Sequence, residues 1–412
     1  MTTTTGQHRT RSPTLTEYVA SICRKVAVSL TCLLALLVPF DPVRNIDLQG
    51  LILLVIGGFA WTSVLLKTSW SLKQSNRIAV GLLSTFIIAC LVSLLINPHF
   101  SYDFYGAPYL RLGTAGLIAC LGSGLLFRTL PLKRLLTGLY GLITIIAVVS
   151  IPYSLIRFHA LGRIAGLFAQ TTTLAAFLGC GFLIGLELFR VHRPWRRYII
   201  ASQLVLIAEL LVTETRAVLA LVVVLSLVWI LYNRHQLLNL RRIIYLSMVG
   251  LILGSLYLLL PGRLTNESYA VDSVQYRLLL QKRAITASWQ SPYWGYGLGN
   301  LADALTCERL PDKSLQATCQ QGYFFNSSHN IFLDRILAIG WIGGLSYTLF
   351  AGYAIYRGLR SHSNWQRLAA CLALLIAGYY FTNVTNVELE LVFWILLLSV
   401  CTPTPHGNAN AT

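Results

Sequence analysis

Residues 329–360 read HNIFLDRILAIGWIGGLSYTLFAGYAIYRGLR, and this stretch decides the fold. A hydrocarbon core of ~30 Å takes about 20 mostly apolar residues to cross as a helix, and the run that follows Asn330 is long enough. Its two ends differ. Asn326, Ser327, Ser328, His329 and Asn330 stand at one mouth, Arg357 and Arg360 at the other. Basic residues collect at the cytoplasmic ends of spans, so Arg357 and Arg360 place the far end inside and His329 outside.

Working outward from this run, further apolar stretches lie near residues 25–41, 49–66, 78–97, 112–127, 135–156, 171–189, 198–213, 217–232, 243–260, 368–383 and 389–402. With 329–355 they make an expected twelve spans. Only 11% of the 412 residues are charged and 55% are hydrophobic, with a mean hydropathy of +0.64, against about 25% charged in soluble proteins. An ordinary soluble enzyme is excluded. The expectation is an all-α polytopic membrane protein with about 12 transmembrane helices. The polar, Thr-rich stretch Met1–Thr16 is followed by an apolar run without a small-residue cleavage site, so that run reads as a retained helix.

The lysines and arginines set the orientation. With the N-terminus inside, the inner segments hold Arg9, Arg11, Arg24 and Lys25; Lys67, Lys73 and Arg77; Arg128, Lys133 and Arg134; Arg190, Arg193, Arg196 and Arg197; Arg234, Arg241 and Arg242; and Arg357, Arg360 and Arg367. The short outer loops hold only Arg44, Arg111, Arg157, Arg163 and Arg216. Both termini are therefore expected in the cytoplasm. The net charge of +17 reports topology rather than a nucleic-acid-binding patch, because the basic residues are dispersed in small clusters between spans. The chain then divides into residues 1–260 with nine spans, a large outer loop at 261–328, and residues 329–412 with three spans.

A loop of that length is usually functional or disordered, and its aromatic content (Tyr276, Trp289, Tyr293, Trp294, Tyr296, Tyr323, Phe324 and Phe325) predicts order. Asp272-Ser273 is expected to cap an amphipathic helix on which Val274, Leu278, Ile285 and Trp289 recur, ended by Pro292 and by Gly295, Gly297 and Gly299. Such a helix lies in the membrane interface. The glycine triplet reads as a turn, since a dinucleotide fingerprint needs a strand before it. Cys307 and Cys319 are the loop's two cysteines, and a disulfide in an oxidising compartment would stabilise it by about 2–3 kcal/mol. The other seven sit in or beside apolar runs as packing residues.

There is no P-loop, HExxH, CxxC or Asp-x-Asp motif, so neither a cofactor nor a metal is implied. The segment from Ser327 to Gly343 is the sharpest signal: His329-Asn330, nine residues, then Gly340-Trp341-Ile342-Gly343, where small residues let a second helix approach. A histidine at a span end also has a bland reading as interfacial packing. Arg335 and Asp334 lie within the span, as Glu209 does in another, and intramembrane charges face a bundle interior or a wet cavity. A structural Glu209–Arg335 ion pair is the expected arrangement.

The His-Asn, nine, Gly-x-x-Gly pattern resembles that of the O-antigen ligases within the wider O-antigen ligase and polymerase superfamily. Gly162 to Phe168, Thr213-Glu214-Thr215-Arg216, and Arg277 ahead of Pro292 to Gly299 resemble further superfamily segments. Ala220 stands where the family often has leucine after its arginine. The resemblance implies a GT-C-like glycosyltransferase of the bacterial inner membrane, its active site on the periplasmic face. Its donor would be an undecaprenyl-diphosphate-linked glycan and its acceptor the lipid A core oligosaccharide. Membrane lipids are further partners; nucleic acid is not.

On that reading His329 is the general base, with Asn330 orienting it or a sugar, and Arg216, Arg277 and Arg163 bind the diphosphate. Direct displacement predicts inversion at the anomeric carbon. Each arginine also has a bland reading as a headgroup anchor. Two other functions stay open: an O-antigen polymerase with the same donor, and a transporter or flippase. The latter predicts internal repeats and paired broken spans, neither of which is evident.

Overall fold

A computed structural model describes residues 14–37, 46–66, 77–97, 100–105, 113–161, 171–213, 215–232, 267–305, 327–381, 383 and 387–401. Every regular element among them is helical. In chain order these are α1 (Leu15–Leu37), α2 (Ile46–Leu66), α3 (Arg77–Ile96), α4 (Phe100–Tyr105), α5 (Thr114–Phe127), α6 (Leu132–Leu161), α7 (Thr171–Val191), α8 (Arg196–Val212), α9 (Arg216–Tyr232), α10 (Glu267–Gln290), α11 (Leu301–Ala304), α12 (Ile331–Leu359), α13 (Asn364–Tyr380) and α14 (Val387–Val400). Apart from 243–260, which lies outside the described residues, each expected apolar stretch falls on one of these helices.

Among the described residues four helical segments are long and apolar enough to cross a membrane: Arg77–Ile96, Leu132–Pro152, Thr171–Val191 and Ile331–Leu359. Shorter apolar helices cover Leu51–Leu66, Thr114–Phe127, Arg216–Tyr232 and Leu389–Val400. Helices suit such a chain because a backbone N–H or C=O without a partner costs several kcal/mol in lipid, and a helix satisfies its own. The chain is a membrane protein whose described residues form helices and no strand.

The core forms around α12, which packs on α3, α10, α13 and α14. A second centre is α7, packed on α6, α8, α9 and α13. Aromatic rings fill the space between α3, α12 and α14: Phe86 lies 5.3 Å from Tyr347 and 5.8 Å from Trp394, and Phe350 stacks on Trp394 at 5.8 Å. Small residues set the close approaches, as where a Cβ on Gly57 of α2 would meet Ala119 of α5.

The loop helix α10 departs from expectation at its start. It begins at Glu267, so Asp272 and Ser273 lie inside it rather than capping it. It ends at Gln290, ahead of Pro292 as the turn residues predict. Leu280, Ala284, Ala287 and Ser288 are buried, whereas Leu278, Ile285 and Trp289 of the expected apolar stripe are exposed. Leu280, Ala284 and Ala287 therefore lie on the packed face, and of the exposed residues Trp289 meets Trp341 of α12 with ring centroids 4.8 Å apart. Cys307 and Cys319 lie outside the described residues, and so does the proposed disulfide.

Candidate active site

The site is built on the first turn of α12. Asn330 is its N-cap: the side-chain oxygen accepts from the amides of Phe332 at 3.0 Å and Leu333 at 3.3 Å, satisfying donors that a helix start leaves without partners. Asp334, in the same turn, folds the preceding residues back over it. Its carboxylate accepts from Ser327 Oγ at 2.6 Å and from the Ser328 amide at 2.7 Å. Ser327 Oγ in turn accepts the His329 N–H at 3.0 Å, and Ser328 Oγ donates to the Asn330 carbonyl at 3.1 Å. His329 sits in the middle of this knot with φ of +58°, the one non-glycine residue with positive φ among those described.

Two turns further on, α12 breaks. Ile339 and Gly340 leave helical geometry, Gly340 with φ of +76°. The freed backbone groups are taken up by the loop segment after α10. Tyr296 N donates to Leu337 O at 2.9 Å, Gly297 N to Ala338 O at 2.8 Å, and Trp341 N donates to Pro292 O at 2.8 Å. Ser93 Oγ of α3 adds a bond to Ala338 O at 3.1 Å. A broken helix is tolerated at membrane depth where neighbouring groups re-satisfy its backbone. Gly295 (φ +69°) and Gly297 (φ +95°) permit the contact: a Cβ on the first would lie 2.3 Å from Ala338, on the second 2.1 Å from Asp103. Asp103 Oδ1, on α4, accepts from Gly299 N at 3.1 Å and Asn300 Nδ2 at 2.9 Å. The glycine triplet is thus a turn that docks the loop on the kink.

Arg277 of α10 faces this assembly. Burial, and secondly the Arg277 guanidinium, push the His329 imidazole down from 6.5 to about 4. Burial also lowers Arg277 itself, with the Tyr379 hydroxyl acting in the opposite sense. That hydroxyl lies 3.2 Å from Thr173 Oγ1 and 3.5 Å from Thr172 Oγ1 at the start of α7. Gln281, one turn past Arg277, donates to Phe381 O at 3.4 Å, and Phe381 meets Phe332 with ring centroids 5.4 Å apart. Arg277, His329, Asn330 and the end of α13 therefore converge.

Arg216 opens α9 at this same end of the bundle, where Leu221 packs on Gly378 of α13. Its side chain is exposed, in contrast to the half-buried Arg277 and His329. Arg163, with the rest of Gly162 to Phe168, lies outside the described residues. Among the described residues no group of three or more His, Cys, Asp and Glu could hold a metal ion.

The expected Glu209–Arg335 pair is corrected. Arg335 pairs with Glu390 of α14, Nη2 to Oε1 at 3.1 Å, both buried. The same oxygen accepts from Trp394 Nε1 at 3.1 Å and Tyr347 OH at 3.4 Å, and the guanidinium lies 5.6 Å from the centre of the Tyr347 ring. α14 packs directly on α12, so the acid it carries is the one within reach. Glu209 is buried, and among the described residues neither of its carboxylate oxygens has a hydrogen-bond partner.

Sequence reasoning missed Asp334 as a clamp and Asp103 as an anchor. An acid in the first turn of a capped helix was the available signal for Asp334; Asp103 stood in a short outer loop with none.

No curated protein matches the chain. The family model described as O-Antigen ligase matches residues 201–348. That span takes in Arg216, Arg277, the glycine turn, His329 and the kink at Gly340, so the part of the chain that is similar to the O-antigen ligase family carries the residues at the centre of the site.

Proposed function

We propose that the protein is a glycosyltransferase that moves a glycan from undecaprenyl diphosphate to the lipid A core oligosaccharide, working on the periplasmic face of the inner membrane through twelve spans. The single observation that carries this reading is the convergence of Arg277 and His329 above the capped start of α12. A diphosphate leaving group brings negative charge, and a guanidinium stays ionised and binds phosphate oxygens bidentately. Arg277 and Arg216 supply that charge, with Arg163 the third candidate. The exposed stripe of Leu278, Ile285 and Trp289 suits a helix lying at the membrane surface, where the donor's lipid resides.

His329 takes the proton of the acceptor hydroxyl as the oxygen attacks the anomeric carbon. The bond to the diphosphate breaks in the same displacement, inverting that carbon, and the leaving group departs between the arginines. A positioned base contributes about 10² to 10⁴ in rate. Asn330 spends its side-chain oxygen on the helix cap, so its amide nitrogen is the part left to meet a sugar.

The test is transfer with purified donor and acceptor by wild type and His329→Ala in the presence of EDTA. Wild-type transfer with a loss of about 10² or more in a folded variant is expected; undiminished transfer by the variant refutes the base. A strain lacking the protein distinguishes the polymerase reading. A ligase defect accumulates full-length lipid-linked polymer, and a polymerase defect leaves single repeats on lipid A.

A further inference from the structure

We propose that Asp334 is the positioning residue for His329, acting through Ser327; the role rests on the reading of His329 as general base. Asp334 is buried on α12, where a carboxylate costs heavily unless hydrogen bonds satisfy it. Both its oxygens are engaged, one by Ser327 Oγ and one by the Ser328 amide. It therefore reaches His329 at one remove: the Ser327 hydroxyl gives its proton to Asp334 and its lone pair to the His329 N–H.

This relay fixes the backbone on which the imidazole is carried. His329 has φ of +58°, a conformation that a non-glycine residue holds only when its surroundings impose it. The restraints come from both sides. Ser327 holds the His329 amide, and Asn330 begins the helix with its own side chain bonded to Phe332 and Leu333. Asp334 ties Ser327 and Ser328 to that same turn, so the helix start, the relay and the histidine move as one body. The helix N-terminus also favours a negative charge in its first turn.

Asp334→Asn retains the volume but replaces one acceptor oxygen with a donor NH2, which opposes the Ser327 hydroxyl or the Ser328 amide. Ser327→Ala removes the hydroxyl that joins Asp334 to the His329 N–H and leaves Asp334 its bond from the Ser328 amide, whereas Ser327→Thr keeps the hydroxyl. A displacement of about 1 Å in a catalytic group costs on the order of 100-fold. Expected for Asp334→Asn and Ser327→Ala is a fall in kcat of about 10- to 100-fold per folded molecule, with the KM for the lipid-linked donor unchanged; the lost buried hydrogen bond lowers the thermal midpoint in detergent, and kcat is read at a temperature where each variant remains folded. Ser327→Thr restores turnover. In a His329→Ala background neither change costs anything further, as for groups acting through one another.

Wild-type kcat in Ser327→Ala overturns the proposal, whether or not Asp334→Asn folds. Losses that multiply with that of His329→Ala also overturn it, as does a fall in activity that merely tracks loss of folded protein. An active His329→Ala enzyme would instead refute the general base itself, a result separate from these.

Discussion

At the scale of the residue, His329 is held by its neighbours in two respects, conformation and charge. A positive φ in a non-glycine residue costs about 1–3 kcal/mol, and burial beside Arg277 keeps the imidazole neutral down to about pH 4. Neutral is the form a base requires. Protonation removes it, so transfer limited by this group falls only as pH drops through the depressed pKa, not near 6.5. Titration of His329 by NMR in donor-free protein is expected to give a value near 4, and a value near 6.5 would contradict it. Arg277→Gln should raise that value without restoring 6.5, because burial is the larger cause. A diphosphate bound to Arg277 raises it in the same way. That His329, Asn330 and Arg277 lie near one another was legible through the family resemblance. The partner of Arg335 was not, since Glu209 and Glu390 both lie toward the same side of their spans and only the packing of α14 on α12 chooses between them.

At the scale of the element, α12 is two helical segments joined at Gly340, and the loop backbone completes the join. The Gly-x-x-Gly spacing predicts close approach, and Gly343 does admit α3, where an added Cβ would lie 2.7 Å from Ala89. Gly340 serves another purpose, which spacing does not encode. Its positive φ, and the 2.2 Å that would separate a Cβ from the Tyr293 carbonyl, belong to a contact with residues distant in sequence. Gly340→Ala is therefore expected to undock the Pro292–Gly297 turn, lower the thermal midpoint and expose the segment after α10 to protease. Gly352 in the same helix has nothing within 4 Å of its added Cβ, so Gly352→Ala should leave both measurements unchanged. Equal behaviour of the two variants would mean that the kink does not hold the loop. The start of α10 was misread for a related reason. A Ser or Asp marks a helix start only if the chain before it is not already helical, and here helix continues back to Glu267.

At the scale of the whole molecule, the positions of the apolar helices were the most legible feature, because a bilayer demands long apolar runs and the chain supplies them without alternation. How the helices group around α7 and α12 was not legible, since apolar faces carry little record of which neighbour they meet. Orientation rests on charge alone, twenty lysines and arginines on the inner segments against five on the short outer ones. That bias makes a prediction open to direct measurement. Trp195, between α7 and α8, His362, between α12 and α13, and Tyr293, after α10, are all exposed. Each is replaced by cysteine in a Cys307→Ser, Cys319→Ser background, where the buried Cys23, Cys90, Cys120, Cys180 and Cys371 should stay silent. In intact spheroplasts a membrane-impermeant maleimide should label Tyr293→Cys and leave Trp195→Cys and His362→Cys unmodified until the membrane is opened. The reverse pattern would turn the molecule over and put His329 in the cytoplasm. Labelling of Trp195→Cys and Tyr293→Cys from the same side would instead change the number of spans between them, and with it whether Arg216 and Arg277 share one side of the membrane.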